Sequence, residues 1–225
     1  MIEQILKFYA KIIRFVRWMF PRKYTYESYM QLKNEILNIQ QIAPLGTSLW
    51  EQFRLQLRNE IISKNMNNFL NFSVIQKTMF SKAPRCEYEK VREHNVVYNA
   101  IKESWFGNPL PYFLDYQTSS NLVHHGYSVA TLLDFINLKD VEHVVDFGGG
   151  YGSMCRLFRN LGFSGEYVIY DLPEFSALQK FYLKNIDSPK QKNTSFINEL
   201  HDLHRSENTL LLATWSLSEA PIELR

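Results

Sequence analysis

The pattern of apolar and polar positions divides the chain into a helical first part and an alternating second part. Between residues 24 and 140, apolar residues recur every three or four positions, which predicts helices. The segments with this spacing are 26–42, 47–66, 86–105 and 121–138. Thr47 or Ser48 is suited to cap the second helix, with Glu51 placed for a capping box. The stretch 106–121, rich in glycine and proline, predicts a loop or hinge.

After residue 140, short β-branched runs alternate with helical segments. The predicted strands are HVVDF (143–147), EYVIYD (166–171), TSFIN (194–198) and TLLLATW (209–215). Two helices, 153–162 and 172–185, are predicted between the first three strands; Gly162 is placed to end the first, and Pro173 is suited to the first turn of the second. Alternating strands and helices predict a parallel α/β sheet with right-handed crossovers.

The first 23 residues predict a basic amphipathic helix that ends before Pro21. Its polar arc contains Glu3, Gln4, Lys7, Lys11, Arg14 and Arg17. A charge at every third or fourth position excludes a membrane span, and the absence of an apolar block followed by small residues excludes a secretory signal. Two alternatives remain open: the helix lies on an anionic membrane surface, or it docks on the body of the protein or on a partner.

Composition limits the function classes. The net charge of the chain is only +2, which argues against a nucleic-acid partner. The charge is uneven, since residues 1–23 carry +5 and the remainder carries −3. Cys86 and Cys155 are far apart and lie in no metal-ligand spacing, which favours reduced thiols in a cytoplasmic protein. If the basic helix binds lipid, the protein is expected at the inner membrane face.

Glycine is concentrated at one place in the chain. Four of the nine glycines fall between residues 148 and 152, directly after the first predicted strand. Parallel sheets bind ligands at the carboxyl ends of their strands, and glycines there let a ligand approach the backbone. The pattern is Asp146-x-Gly-x-Gly-x-Gly, and Ser153 stands where the dinucleotide fingerprint has its third glycine, which argues against an NAD-dependent enzyme. Asp171 closes the second strand, where a carboxylate can accept hydrogen bonds from both ribose hydroxyls of an adenosine.

The glycine motif and the segments around it carry a family resemblance. VVDFGGGYG and YVIYDLPEF resemble the first two motifs of class I S-adenosylmethionine-dependent methyltransferases. More narrowly, DFGGGYGSMCRLF, YDLPEFSALQKFYL, TWSLSEAP and NLVHHGYSV resemble bacterial putative sugar O-methyltransferases, over roughly residues 118–225. The resemblance implies a Rossmann-like domain that binds S-adenosylmethionine. By it, Gly148, Gly150 and Gly152, with Gly149 in the same loop, would line the methionine part, Asp146 would orient the loop or the amino group, Asp171 would hold the ribose, and Leu172 would flank the adenine.

Methyl transfer to a sugar hydroxyl needs a group that removes the proton. Glu219, in TWSLSEAP, and His124 or His125, which precede the domain, are the candidates; Asp115 and Tyr127 are weaker ones. Each has a structural alternative, since a carboxylate is also favoured at a helix start and histidines also occupy surfaces and cores. No pair of carboxylates with metal-binding spacing is found, so no metal is predicted.

These observations predict three parts: a basic helix at 1–23, a helical region at 24–140 and an S-adenosylmethionine-binding domain at 141–225. The class I fold has seven strands, so the chain is expected to be either truncated after the fourth strand or a fragment of a longer enzyme. The expected function is O-methylation of a small-molecule or lipid-linked sugar in surface glycan biosynthesis. A non-catalytic, membrane-associated binding protein is the alternative, and phenols remain an alternative acceptor class.

Overall fold

The computed structural model of the chain describes residues 2–39, 49–80, 82–186, 193–203, 207–214 and 216–219. The helices are α1 (Ile2–Met19), α2 (Tyr26–Asn38), α3 (Leu49–Ser63), α4 (Ser73–Thr78), α5 (Arg85–Glu93), α6 (Asn95–Ala100), α7 (Ser120–Leu133), α8 (Ser153–Asn160), α9 (Pro173–Asn185) and α10 (Ser216–Glu219). The strands are β1 (Pro111–Tyr112), β2 (Asp115–Ser119), β3 (His143–Phe147), β4 (Glu166–Tyr170), β5 (Thr194–Ile197) and β6 (Thr209–Leu212). Short 3-10 turns occupy Met66–Asn71, Leu138–Asp140 and Leu200–Asp202.

The predicted parallel sheet is confirmed. Its strand order is β5-β4-β3-β6, and all three neighbouring pairs are parallel. The first strand of this sheet in sequence, β3, is therefore internal. Its Val145 lies opposite Val168 of β4 on one side and Leu211 of β6 on the other. The next two strands in sequence, β4 and β5, lie on one side of β3, and β6 lies on the other side. The strand order therefore reverses between β3 and β6. This α/β architecture is compatible with a Rossmann-like fold.

Both helices predicted between the first three strands are also present. Gly162 has a φ of +91° just after α8, the left-handed conformation that glycine adopts at a helix end. Pro173 stands in the first turn of α9, where its missing N–H costs no helical hydrogen bond. Most residues of α8 and α9 are buried, because these helices lie between the sheet and the surrounding helices.

A buried arginine holds the edge of the sheet together. Arg159 of α8 is fully buried, and its Nη1 donates to the carbonyl oxygens of Phe163 (3.0 Å) and Gly165 (2.8 Å). Its Nη2 donates to the carbonyl oxygen of Asn193 (2.9 Å) and to Thr194 Oγ1 (3.1 Å). One guanidinium thus joins the end of α8 to the chain that enters β4 and β5, and it satisfies carbonyls that would otherwise be unpaired.

The helices that precede the sheet pack directly on it. α2 and α3 contact α9, and α7 contacts α8 on one side and α5 and α6 on the other. Arg54 Nε of α3 donates to Glu174 Oε2 at the start of α9 over 2.6 Å, in a pair that is almost entirely buried. Lys180 of α9 pairs with Glu35 of α2. These contacts fix α3 above the carboxyl ends of the strands.

The expectations for residues 86–121 need two corrections. The predicted helix 86–105 is broken at His94 and ends at Ala100, giving α5 and α6. The predicted loop 106–121 contains an antiparallel pair, β1 with β2. In this pair Pro111 lies opposite Ser119 and Tyr112 opposite Asp115. Two longer-range bonds tie β2 to the chain after α6: Glu103 N donates to the carbonyl oxygen of Gln117 over 2.8 Å, and Thr118 Oγ1 donates to that of Ile101 over 2.6 Å. These bonds hold the chain after α6 in an extended form.

Two further points concern the region before α5. The turn at Met66–Asn71 and helix α4 were not predicted, because each is only six residues long and shows too few turns for a helical period. The buried carboxylate of Glu60 caps α4, accepting from Ser73 Oγ (2.9 Å) and Val74 N (3.3 Å). The predicted caps Thr47 and Ser48 lie outside the described residues. Among the residues that are described, no helix is both long and apolar enough to cross a bilayer.

Replacing Arg159 tests whether its hydrogen bonds, which join α8 to the chain entering β4 and β5, stabilise the fold. We call this set of bonds the clamp. We expect Arg159→Met to lower the free energy of unfolding by about 3 kcal/mol, because three buried carbonyl oxygens lose a charged donor. Urea unfolding followed by circular dichroism measures the change. The matched control is Arg85→Met, since the side chain of Arg85 is 74% exposed and forms a surface ion pair with Glu89 one turn away. The control should change stability by less than about 0.5 kcal/mol, and equal losses in the two variants would contradict the clamp.

Candidate functional site

A cavity of about 650 Å³ lies at the carboxyl ends of the parallel strands. Its floor is formed by Asp146 at the end of β3, by the glycines 148–150, by Asp171 directly after β4, and by Thr214 and Ser216 after β6. The cavity therefore straddles the point where the strand order reverses. Open parallel sheets bind their ligands at this point, because the loops on either side of it diverge and leave a crevice.

The turn after β3 has no room for a side chain at residues 148 and 149. A Cβ on Gly148 would lie 2.3 Å from Cβ of Ser216, and a Cβ on Gly149 would lie 2.5 Å from Cγ2 of Ile169. Gly148 also has a φ of +79°, and its N–H donates to the carbonyl oxygen of Tyr170 over 2.8 Å. The glycine loop is thus pressed between β4 and α10, and its backbone is exposed to the cavity.

Asp146 is a carboxyl group held in an apolar surrounding. It is 2% exposed, and the hydroxyl of Tyr167 donates to its Oδ2 over 2.9 Å. Burial raises the pKa of Asp146 to about 7, although the Tyr167 hydrogen bond acts in the opposite direction. A positively charged or hydrogen-bond-donating ligand group near Asp146 would therefore favour its ionised form.

Asp171 is fixed by hydrogen-bond donors from helix α9 and from the residue that caps it. Its Oδ1 accepts from the Leu172 N–H over 2.8 Å, and its Oδ2 accepts from Gln179 Nε2 over 2.6 Å. Burial raises the pKa of Asp171 to about 7; these two hydrogen bonds lower it, and the nearby charge of Asp146 raises it further. Gln179 Nε2 also donates to the carbonyl oxygen of Gly150 over 3.0 Å, so one amide joins the glycine loop to this carboxylate. The Oε1 atom of Gln179 is buried without a hydrogen-bond partner.

The wall opposite the sheet is largely apolar and was not predicted from the sequence. Trp50 and Phe53 come from α3, Met79 and Phe80 from the chain after α4, and Phe175 from α9. The Trp50 ring packs edge-on against Phe175, with centroids 5.9 Å apart and planes at 75°. Phe80 stacks on Tyr151 of the glycine loop at 6.0 Å. The helical spacing of Trp50 and Phe53 predicts burial, but it does not distinguish a cavity wall from a core.

Two histidines of α7 line the cavity and differ in their partners. His124 Nδ1 lies 2.9 Å from Glu87 Oε2 and 3.1 Å from Oε1, so it donates to this carboxylate of α5. His125 Nδ1 lies 3.1 Å from Ser153 Oγ at the start of α8. Burial, and then the neighbouring His124 side chain, lower the pKa of His125 to about 4. His125 is therefore a neutral imidazole near pH 7.

The structure brings most of the predicted site residues to this one cavity. The cavity is lined by Asp146, Gly148, Gly149, Gly150, Asp171, Glu219, His124 and His125. Glu219 is exposed at its rim. Gly152 and Leu172 do not line it: a Cβ on Gly152 would point at Leu183 and Tyr182 in the core, and Leu172 precedes the first turn of α9.

The weaker base candidates lie elsewhere. The Oδ2 atom of Asp115 accepts from the hydroxyls of Tyr98 (2.8 Å) and Tyr88 (3.3 Å), and Tyr127 is exposed on α7. Within the described parts of the chain, no group of three or more His, Cys, Asp or Glu side chains is placed to hold a metal ion. Cys86 is exposed and Cys155 is buried, and both are free thiols.

Comparisons with protein-family models, with curated proteins and with solved structures gave no match. Any function assigned to this cavity therefore depends on the residues of this chain.

The raised pKa of the buried Asp146 predicts how the stability of the protein depends on pH. Its folded-state pKa of about 7 lies above the ordinary value of 3.8, so the folded protein binds more protons between these two pH values and loses stability as the pH rises through them. We expect Asp146→Asn to gain on the order of 2 kcal/mol in unfolding free energy relative to wild type between pH 5 and pH 8. Urea unfolding at each pH measures the difference. The exposed Asp140→Asn is the control, and a wild-type pH slope in Asp146→Asn would contradict the assignment.

Proposed function

We propose that this protein is a class I S-adenosylmethionine-dependent methyltransferase that acts on a sugar hydroxyl. The observation that carries the proposal is the position of Asp171. It lines the same cavity as the glycine loop, at the carboxyl ends of β4 and β3, and the Gln179 amide donates to both Asp171 and the Gly150 carbonyl oxygen. The choice of a sugar acceptor follows from the resemblance of the segments around 146–158 and 170–183 to sugar O-methyltransferases.

The side chains present fit the proposed cofactor. Hydroxyl donors from a ribose would stabilise the ionised form of Asp171, whose burial is otherwise unfavourable. The buried, unpartnered Gln179 Oε1 leaves an acceptor beside it. The half-buried Trp50 ring, which packs edge-on against the buried Phe175, offers an apolar surface of the kind that an adenine packs against. Asp146 provides a carboxylate for the cationic end of the same ligand.

The chemistry requires little of the protein beyond placement and removal of a proton. When bound, S-adenosylmethionine supplies a methyl group on a sulfonium sulfur, which leaves as the neutral thioether once the acceptor oxygen takes the methyl group. The apolar wall keeps water from the cavity, and the glycine loop lets the ligand approach the backbone. The sugar hydroxyl must also lose its proton to a base in the cavity.

His124 fits the role of that base better than His125 does. The Glu87 carboxylate lies 2.9 Å from Nδ1 of His124 and orients the ring, so we assign removal of the hydroxyl proton to the His124 imidazole. The pKa of His125, about 4, makes it a weak base near pH 7, so we assign it a positioning role through Ser153. The exposed Glu219 remains the second candidate.

Calorimetric titration with S-adenosylmethionine tests the binding step. We expect wild type to bind the cofactor and Asp171→Asn to raise its Kd by roughly tenfold or more, because the charged acceptor for the ribose hydroxyls is lost. The exposed Asp140→Asn is the matched control and should keep the wild-type Kd. Circular dichroism checks that each variant is folded. A folded wild-type protein that does not bind, or that binds NAD in preference, contradicts the proposal.

The catalytic step has a test of its own. With a panel of nucleotide-linked and simple glycosides as acceptors, release of S-adenosylhomocysteine reports turnover. We expect His124→Gln to lower kcat on the order of a hundredfold without changing the cofactor Kd, and Glu87→Gln to lower it less. The matched control is His94→Gln, since His94 forms a similar pair with Asp134 (3.2 Å) at the surface. Full activity in His124→Gln with loss in Glu219→Gln would assign the base to Glu219.

A further inference from the structure

Helix α1 packs on the body of the protein through a narrow face and leaves most of its surface exposed. On this face Arg14 donates to Asn71, and the Arg17 guanidinium lies 3.1 Å from the centroid of the Trp105 ring. Ala10, on the same face, is 3% exposed, whereas the remaining members of the polar arc, Glu3, Gln4, Lys7 and Lys11, are exposed. The Tyr116 hydroxyl donates to the carbonyl oxygen of Leu6 over 3.3 Å, which fixes the same face.

The apolar arc of α1 consequently points away from the protein. At 100° per residue, Phe8, Ile12 and Met19 lie nearly opposite Ala10 on the helix. The exposed apolar residues of this helix and the residue after it are Ile2, Ile5, Phe8, Tyr9, Ile12, Phe15, Val16, Trp18, Met19 and Phe20. We call these residues the outer arc of α1. A contiguous apolar surface of this length is characteristic of an interaction site, since single exposed apolar residues are normal and a row of them is not.

The charges beside the outer arc indicate what it binds. Between residues 2 and 23 the only carboxylate is Glu3, and it pairs with Lys7 over 2.6 Å. Lys11 and Lys23 are exposed. Lys11 lies seven residues, about two helical turns, before Trp18 and therefore next to it at the border of the outer arc. Cations and a tryptophan at the border of an apolar helix face match the boundary between anionic headgroups and acyl chains.

The same charges disfavour a second copy of the chain as the partner. Two copies joined through their outer arcs would bring two sets of lysines together, and neither outer arc contains a carboxylate to pair with them. We propose that α1 seats this protein on the surface of an anionic bilayer, with the outer arc in the interface and Lys11 and Lys23 among the headgroups. This inference does not depend on the chemistry of the cavity.

Co-sedimentation of the full chain with vesicles tests the proposal. One set of vesicles is pure phosphatidylcholine, and the other contains equal parts of phosphatidylcholine and phosphatidylglycerol. We expect wild type to bind the anionic set more tightly, and Phe8→Gln with Phe15→Gln to weaken that binding by roughly tenfold or more, because two aromatic rings leave the interface. Lys11→Gln and Lys23→Gln should each cost on the order of fivefold on the anionic vesicles alone.

The controls distinguish vesicle binding through the outer arc from nonspecific hydrophobic binding and from dimerisation. Phe135→Gln replaces a phenylalanine that is 82% exposed outside α1, and it should bind as wild type does. No binding by wild type, or equal binding by the Phe8/Phe15 double variant, overturns the proposal. Sedimentation equilibrium without vesicles should give a wild-type monomer. A dimer that the double variant dissociates would overturn the proposal in favour of a second copy.

Discussion

The lack of space at residues 148 and 149 constrains everything around the cavity. With Ser216 on one side and Ile169 on the other, only glycine fits between β4 and α10. Because residues 148–150 have no side chains, their backbone lines the crevice together with Asp171. A single added methyl group would have to push apart the two neighbours that define the crevice, so the turn and the cavity form one structural unit.

Two carboxyl groups at the same edge of the sheet, one buried and one partly buried, are costly to ionise, and this cost points to a ligand site. Asp146 and Asp171 each have a pKa of about 7, since burial disfavours their ionised forms, and the charge of Asp146 raises the pKa of Asp171 further. A core that served stability alone would place apolar residues here, as the chain does at Val144 and Ile169 within the same strands. The hydrogen bonds from Tyr167 and Gln179 offset only part of the cost. The carboxyl groups therefore mark the end of the sheet at which a ligand with donors or positive charge would be stabilised.

The sequence was informative where one local rule decides the structure and silent where distant residues decide it. The strands at 143–147 and 194–198 and the helix ends at Gly162 and Pro173 follow from β-branched runs and from backbone preferences, and they were predicted. The extended path of the chain after α6 depends on bonds between residues more than a dozen positions apart, such as Glu103 with Gln117, and no local pattern encodes it. Asp146 and Asp171 could be predicted because the carboxyl ends of parallel strands meet at one edge. The contact of Glu87 with His124 could not be predicted, because it arises only from the packing of α5 on α7.

The relation between His124 and Asp171 depends on a core that joins the helical region to the sheet. Phe69 and Phe106, from the region before the sheet, pack against Phe181 of α9 with centroids 6.1 and 5.4 Å away, and Tyr24 contacts the same ring at 5.6 Å. The buried residues of both regions form one continuous cluster. Since such a core resists local rearrangement, the histidines of α7 and the aromatic wall of α3 hold fixed positions above the strand ends. The helical region thus supplies one side of the cavity, and the base candidate His124 is placed by packing that the sheet alone does not provide.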